Sequence, residues 1–442
     1  MNKRIFLTVM MFAIASAHSR AQSSLQQSPP AFSLAEIWQK VAANSKVINM
    51  KELELLQSKE QLQHAQVSRL PDVSLNGEFT KLSNLPQFED GILHSPTLYP
   101  VSHTAYNLGA SVYFDLYRGG QLNRRVNAQQ INVKIGEQER NLSASEIKLL
   151  ATACYLDLLR GQAFQELLLQ DIEEQRKVLV QIKAIYQNGV VLKSDVLRAE
   201  LKLSKQQLQV DQIKNENTLA VQKMNLLMGQ EETLPIEPSQ PFLPDTVQVL
   251  TYETLLANAA THAPEINISK EERNITALQL RDVKANSLPS VGLFANYAYN
   301  YPQGRFYPYV LSLYGLGTVG LRASFPISSL FKNKHQVNSA ALAVKIAAVE
   351  HEHTADQIRV RLREAYLQFQ HELERIKVAK ANIIQTTENL RIVKNSYLNQ
   401  TSLITDYLDA DVQLLQSKFD LSAARIAAQL QYYQIQKITG TL

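Results

Sequence analysis

Two rhythms alternate along this chain. In "DVSLNGEFT", Val73, Leu75, Gly77 and Phe79 alternate with Ser74, Asn76, Glu78 and Thr80. In "NLGASVYFDL", Leu108, Ala110, Val112, Phe114 and Leu116 alternate with Asn107, Gly109, Ser111, Tyr113 and Asp115. Later, Val291, Leu293, Ala295, Tyr297 and Tyr299 share one face, and Val319, Leu321, Ala323 and Phe325 share another. A period of two is the mark of a strand with one apolar side. Four strands are expected, at about 71–80, 106–117, 289–300 and 316–326. Each has the roughly 9–11 residues that cross a bilayer when tilted.

The other rhythm is helical. From Gly120 to about Gln187 there is no proline and only two glycines, Gly136 and Gly161. A continuous helix there would run on the order of 100 Å. Tyr407, Leu414, Leu421, Ala428 and Ile435 recur at sevens, and Leu408, Val412, Leu415 and Phe419 form a second series. Val196, Leu203 and Val210, with Leu197, Leu201 and Leu208, keep the same phase earlier. Two apolar seams on one helix require more than one neighbour, as in a helical bundle or barrel.

The chain also repeats itself. "YQNGVVLKSDVLRAE" (186–200) returns as "YLNQTSLITDYLDAD" (397–411), with six identical positions at an offset of 211. Phe114 falls on Phe325, Asn127 on Asn338, and Gly229 on Gly440 at the same offset. A two-fold internal repeat is expected, with copies at 22–234 and 251–442 joined by a proline-rich linker at 235–250. Prolines at 235, 238, 241 and 244 favour an extended connector without ladder donors. Each repeated motif sits where a long helix ends and a return helix begins, with Ser194 or Asp195, and Thr405 or Asp406, as expected N-caps.

Composition narrows the class. A formal charge of +4 on 442 residues, without a Lys/Arg block, does not call for nucleic acid. Cys154 is the single cysteine and reads as a small buried residue. "MNKRIFLTVMMFAIASAHSRA" reads as a secretory signal peptide over 1–21, so the mature chain is expected to be exported. No later apolar run reaches transmembrane-helix length, so entry into a membrane would have to be by strands. Four strands cannot close a barrel, and an open edge in lipid leaves backbone groups unpaired. Several chains must share one barrel; two would supply eight strands and three would supply twelve.

With these residues in view, the chain resembles the TolC-like outer membrane efflux protein family. The duplication, the strand–loop–strand pair before a very long helix, and the repeated hairpin tips carry the resemblance. It implies a mainly α protein with a membrane β-barrel. A homotrimer would form a 12-stranded barrel, four strands per chain, continued by a long periplasmic α-helical barrel. It further implies a passive exit duct in the outer membrane of a Gram-negative bacterium, without cofactor. Its partners would be outer membrane lipid, a periplasmic adaptor and an inner-membrane transporter, of the proton-driven RND type in preference to an ABC exporter.

The family's gate maps onto the tips. Asp406 and Asp409 match the acidic positions of the closed mouth, and Tyr397 and Asp195 match a tyrosine–aspartate pair between hairpins. Ser402 stands where the family's pattern has an arginine, with Ser194 at the partner position. Arg198 is expected to replace that latch by pairing with an acidic tip residue. Gly189, Val190, Leu192, Leu197, Leu403 and Leu408 resemble the surface that receives the adaptor. A type I protein secretion channel and a non-conducting coiled-coil envelope protein are the alternatives. His351 and His353, two apart on a helix, read as a solvated face rather than a metal pair. Neither a P-loop nor a nucleophile motif points to an enzyme.

Overall fold

A computed structural model of the chain describes residues 31–99, 101–239, 250–302 and 310–442. The expected signal peptide lies outside them, as do Phe306, Tyr307 and Tyr309 of the aromatic-rich loop.

In chain order, strand β1 (Ala31–Phe32) leads into α1 (Leu34–Asn44) and α2 (Lys46–Val67). Strands β2 (Asp72–Lys81), β3 (Leu85–Gln87), β4 (Thr97–Tyr99) and β5 (Thr104–Arg118) precede α3 (Gln121–Gln187), α4 (Lys193–Met228) and β6 (Glu237–Pro238). Then come α5 (Tyr252–His262), α6 (Pro264–Ala285), β7 (Ser290–Tyr301) and β8 (Tyr314–Ser324). A short turn of helix, α7 (Ser329–Lys332), precedes α8 (Lys334–Leu398) and α9 (Ile404–Thr439). Helix lengths of 11, 22, 67 and 36 residues are followed by 11, 22, 65 and 36 with the short α7 set aside. Among the described residues no helix is long and apolar enough to cross a membrane.

The chain divides into two compact units, one of 1–46, 147–249 and 365–435, the other of 47–146, 250–364 and 436–442. The second unit holds a four-stranded antiparallel sheet in the order β2-β5-β7-β8. Its register makes the period-two pattern a surface property. Val73, Val112, Ala295 and Val319 lie in one cross-strand row, and Phe114, Leu293 and Leu321 in another. On the opposite face Ser74, Ser111, Asn296 and Thr318 form a polar row, with Ser74 and Ser111 hydroxyls 2.7 Å apart and Asn296 donating to Thr318 at 3.0 Å. Strands β2 and β8 are the two edges. The loop between β2 and β5 carries its own hairpin, β3 with β4. At the loop end of the sheet the rings of Tyr106 and Tyr301 stack at 4.8 Å. In the same unit His351 is not on a solvated face: Ser269 Oγ, buried on α6, lies 2.8 Å from its Nδ1. His353 meets Gln357 instead, and no metal-holding cluster occurs among the described residues.

The first unit is a helical bundle whose described residues include three apolar cores along the helices. Ile37, Val41, Tyr155, Leu156, Met224 and Met228 centre the first, with Trp38 donating to Thr152 at 3.0 Å. Leu168, Ile172, Val210, Ile213 and Phe419 form the second, where Phe164 stacks on Phe419 at 4.4 Å. The third lies at the hairpin tips. The expected free connector is partly paired: Glu237 and Pro238 run parallel to Ala31 and Phe32, and Ser239, which retains its N–H, donates to Phe32. Residues 240–249 lie outside the described segments.

Candidate functional site at the hairpin tips

Both long helices end in the same way. Gly189 N–H bonds to Tyr186 O and Val190 N–H to Ile185 O, while Gln400 bonds to Tyr397 and Thr401 to Ser396. These paired bonds define a Schellman turn, which needs a left-handed residue after the helix. Gly189 takes φ +74° and Gln400 φ 62° at equivalent positions. Glycine does so freely, whereas glutamine holds a conformation that crowds its Cβ.

The return helices begin two or three positions earlier than their polar residues suggest. Leu192, not Ser194 or Asp195, is the N-cap of α4, and its side chain makes no capping bond. Asp195 sits in the first turn, where a carboxylate favours the positive end of the helix. In α9 the Asp406 carboxylate reaches back to accept from Leu403 N–H at 3.2 Å, half of a capping box.

Four helices of one subunit meet here. Val178 and Ile182 from α3, Val196 and Ala199 from α4, Tyr397 from α8, and Ile404 and Tyr407 from α9 form the third core, with Val191 and Leu408 packed against it. Tyr397 and Tyr407 lie nearly parallel, 6.0 Å apart. Burial, then the negative charge of Asp195, pushes the Tyr397 phenol up. Its hydroxyl and that of Ser402 are buried without a hydrogen-bond partner among the described residues. Ser194 Oγ donates to its neighbour Asp195 at 3.4 Å. Arg198 and Asp409 line one groove between α4 and α9, with Leu201, Leu408 and Val412. No ion pair of Arg198 occurs among the described residues.

The residues matched to the adaptor surface divide. Val190, Leu192, Leu197 and Leu403 are exposed, and a Cβ at Gly189 would meet nothing. Leu408 is half-buried, packed against the tip core while lining the groove between α4 and α9. The two seams of α4 divide as well: Val196 and Val210 are buried, while Leu197, Leu201 and Leu208 are 54%, 56% and 71% exposed.

Just beyond the tip core lies a polar cluster that period and motif did not reveal. Asp411 on α9 is buried and accepts from Lys202 on α4 and, at 2.8 Å, from Gln175 on α3. Gln206 on α4 donates to Asp171 on α3. Tyr407 hydrogen-bonds Gln175, yet burial and the charge of Asp411 push its phenol up. Its signal in the sequence was a break of symmetry, since Asp171, Gln175 and Gln206 correspond at the 211 offset to Asn382, Thr386 and Ser417.

A membrane-length sheet with one apolar and one polar face, on a chain otherwise built of long helices, defines the subunit of a membrane channel. The outer membrane efflux protein model matches residues 37–230 and 255–441, and the chain belongs to that family. It is thus an outer membrane efflux channel with a large periplasmic helical part, a passive duct rather than an enzyme. Proteins of the family act as homotrimers with an adaptor and an inner-membrane pump. Among solved structures, the outer-membrane channel OprN is 15% identical over 92% of this chain and 90% of its own, with a TM-score of 0.78. CusC, described for transmembrane channel formation, is 14% identical over 96% and 95%, with a TM-score of 0.79. VceC from Vibrio cholerae is 18% identical over 92% and 96%, with a TM-score of 0.76. No curated protein matches the chain.

Proposed function

We propose that three copies of this chain build one 12-stranded barrel and one helical tunnel, related within each chain by the two-fold repeat, and that the hairpin tips close its periplasmic end. The open sheet carries this reading. Its apolar face suits lipid, but edges β2 and β8 leave backbone groups that hydrocarbon cannot satisfy unless neighbouring copies pair with them. The exposed Leu197–Leu201–Leu208 seam supports the same assembly in the helical part.

In the closed trimer Asp406 and Asp409, both exposed, would stand as two carboxylate rings that favour cations. The partnerless hydroxyls of Tyr397 and Ser402 would gain donors or acceptors from an adjoining tip, with Asp195 and Ser194 as the counterparts nearest in kind. Arg198, without an ion pair among the described residues and lining the groove with Asp409, would bind an acidic tip residue and replace the missing arginine latch at Ser402. Gly189, Val190, Leu192, Leu197, Leu403 and the half-buried Leu408 would receive the adaptor. The inner-membrane partner is a proton-driven RND-type pump. Family membership favours this duct over a non-conducting envelope protein.

The test is single-channel recording in planar bilayers. Small, cation-selective conductance is expected, with selectivity reduced in Asp406→Asn/Asp409→Asn and conductance raised in Arg198→Ala. Absence of conductance after verified insertion would sink the duct; an unchanged Arg198→Ala channel, without added antibiotic leakage in cells, would remove the latch.

A further inference from the structure

Gln206 is 6% exposed, and its two polar ends fare differently. Nε2 donates to Asp171 Oδ2, while Oε1 is buried with no partner among the described residues. An ionised carboxylate can only accept, so it cannot serve that oxygen. A protonated carboxyl can. Its carbonyl oxygen accepts from Nε2 while its O–H donates to Oε1, closing a ring of two hydrogen bonds between acid and amide. The protonated form therefore satisfies a buried acceptor that the ionised form leaves unpaired, and an unpaired buried acceptor is costly.

The surroundings act in the same direction. From α9, Asp411, Lys418 and Tyr407 face Asp171; from α4, Lys202 and Gln206 do. On its own helix Glu174 and Gln175 follow one turn on. Lys202, the nearer ammonium, is bonded to Asp411, leaving Asp171 as a second carboxyl beside it. Burial chiefly, then the charge of Asp411, pushes the Asp171 carboxyl up to about 6, against the opposing influence of Lys202, Gln206 and Lys418.

We propose that Asp171 and Gln206 form a proton-binding site that sets how tightly α3 and α4 pack beside α9 above the tips. Taking one proton from water closes the acid–amide ring and tightens the bundle. Releasing it restores a second buried negative charge beside Asp411 and loosens the bundle. In its consequence for conduction the inference rests on the tip gate proposed above; the proton site itself does not. The sign follows from linkage. The folded chain binds this proton more tightly than the unfolded one, so stability falls as pH rises from about 4 through about 6 and is level beyond.

The full-length protein, in detergent and in bilayers, is titrated between about pH 5 and about pH 8. Infrared difference spectra should show a protonated-carboxyl C=O band lost with a midpoint near 6 and absent from Asp171→Asn. The thermal midpoint of the natural protein should drop by about one to two degrees over that range. Asp171→Asn, whose amide pairs with Gln206 at every pH, should keep the acid-side value throughout. Wild-type conductance should rise with pH, and the variant's should not. The absence of such a band, its persistence in Asp171→Asn, or an equal thermal response in both proteins would overturn the site. A titrating band and thermal shift in a pore whose conductance ignores pH would overturn the link to the tip alone. The same band and shift in a protein that never conducts would remove the duct reading and leave the proton site standing.

Discussion

Lys202 on α4 donates to the Asp411 carboxylate on α9, with side chains 10% and 6% exposed, so a buried ion pair joins the two return helices of one subunit. Removing one partner strands a charge in a largely buried site. Lys202→Met alone is expected to lower stability by about 3–5 kcal/mol, whereas Lys202→Met/Asp411→Leu should recover most of that loss. Denaturant or thermal unfolding of the two variants in detergent checks it. Equal destabilisation in single and double variants would mean that the charge itself is not the issue.

Gln400 occupies the left-handed position that Gly189 takes in the first hairpin. Gln400→Gly should relieve about 1 kcal/mol of backbone crowding, reduced by the extra freedom glycine gives the unfolded chain. A raised thermal midpoint in Gln400→Gly, against no gain in Gln400→Ala, is the expected pattern.

Leu208 is 71% exposed on the outer seam of α4, away from the core that holds Val210. Leu208→Asp should leave the helical content of the chain intact while weakening assembly, because a carboxylate would replace an apolar contact between copies. Light scattering coupled to size-exclusion chromatography should find the proposed trimer in the natural protein and smaller species in the variant. A stable trimer in the variant would place the interface elsewhere.

Cys154 is buried, and burial, followed by the charge of Asp157, pushes its thiol up. The reactive thiolate is therefore scarce at neutral pH as well as shielded. Maleimide labelling should be slow in the native protein, accelerate with rising pH, and go to completion on unfolding. Rapid native labelling near neutral pH would contradict the packing of the first core.

Much of the fold could be read in consecutive residues. Alternation at period two marked strands at Val73–Phe79 and Val291–Tyr299 because neighbouring side chains of a strand point to opposite faces. The proline-free run after Gly120 marked one very long helix for an equally local reason. The tip turns were legible too, but their caps were not. Ser194 and Asp195 have capping side chains, yet the helix begins at Lys193, because the packing of Val191 and Val196 into the tip core sets where the turn ends.

By itself the sequence determined the alternation, the long helices and the repeated tips, since each is written in short-range spacing. Only the tertiary structure decided which polar groups are withdrawn from water. Asp409 and Asp411 stand two residues apart on α9, one exposed and the other 4% exposed. Two steps along a helix turn a side chain by about 200°, from the groove toward α3 and α4. What each carboxylate meets there depends on helices more than 200 positions earlier in the chain, as with Gln175 and Lys202. No local pattern around Asp411 records that neighbour, and so the charge cluster above the tips emerges only when the helices pack.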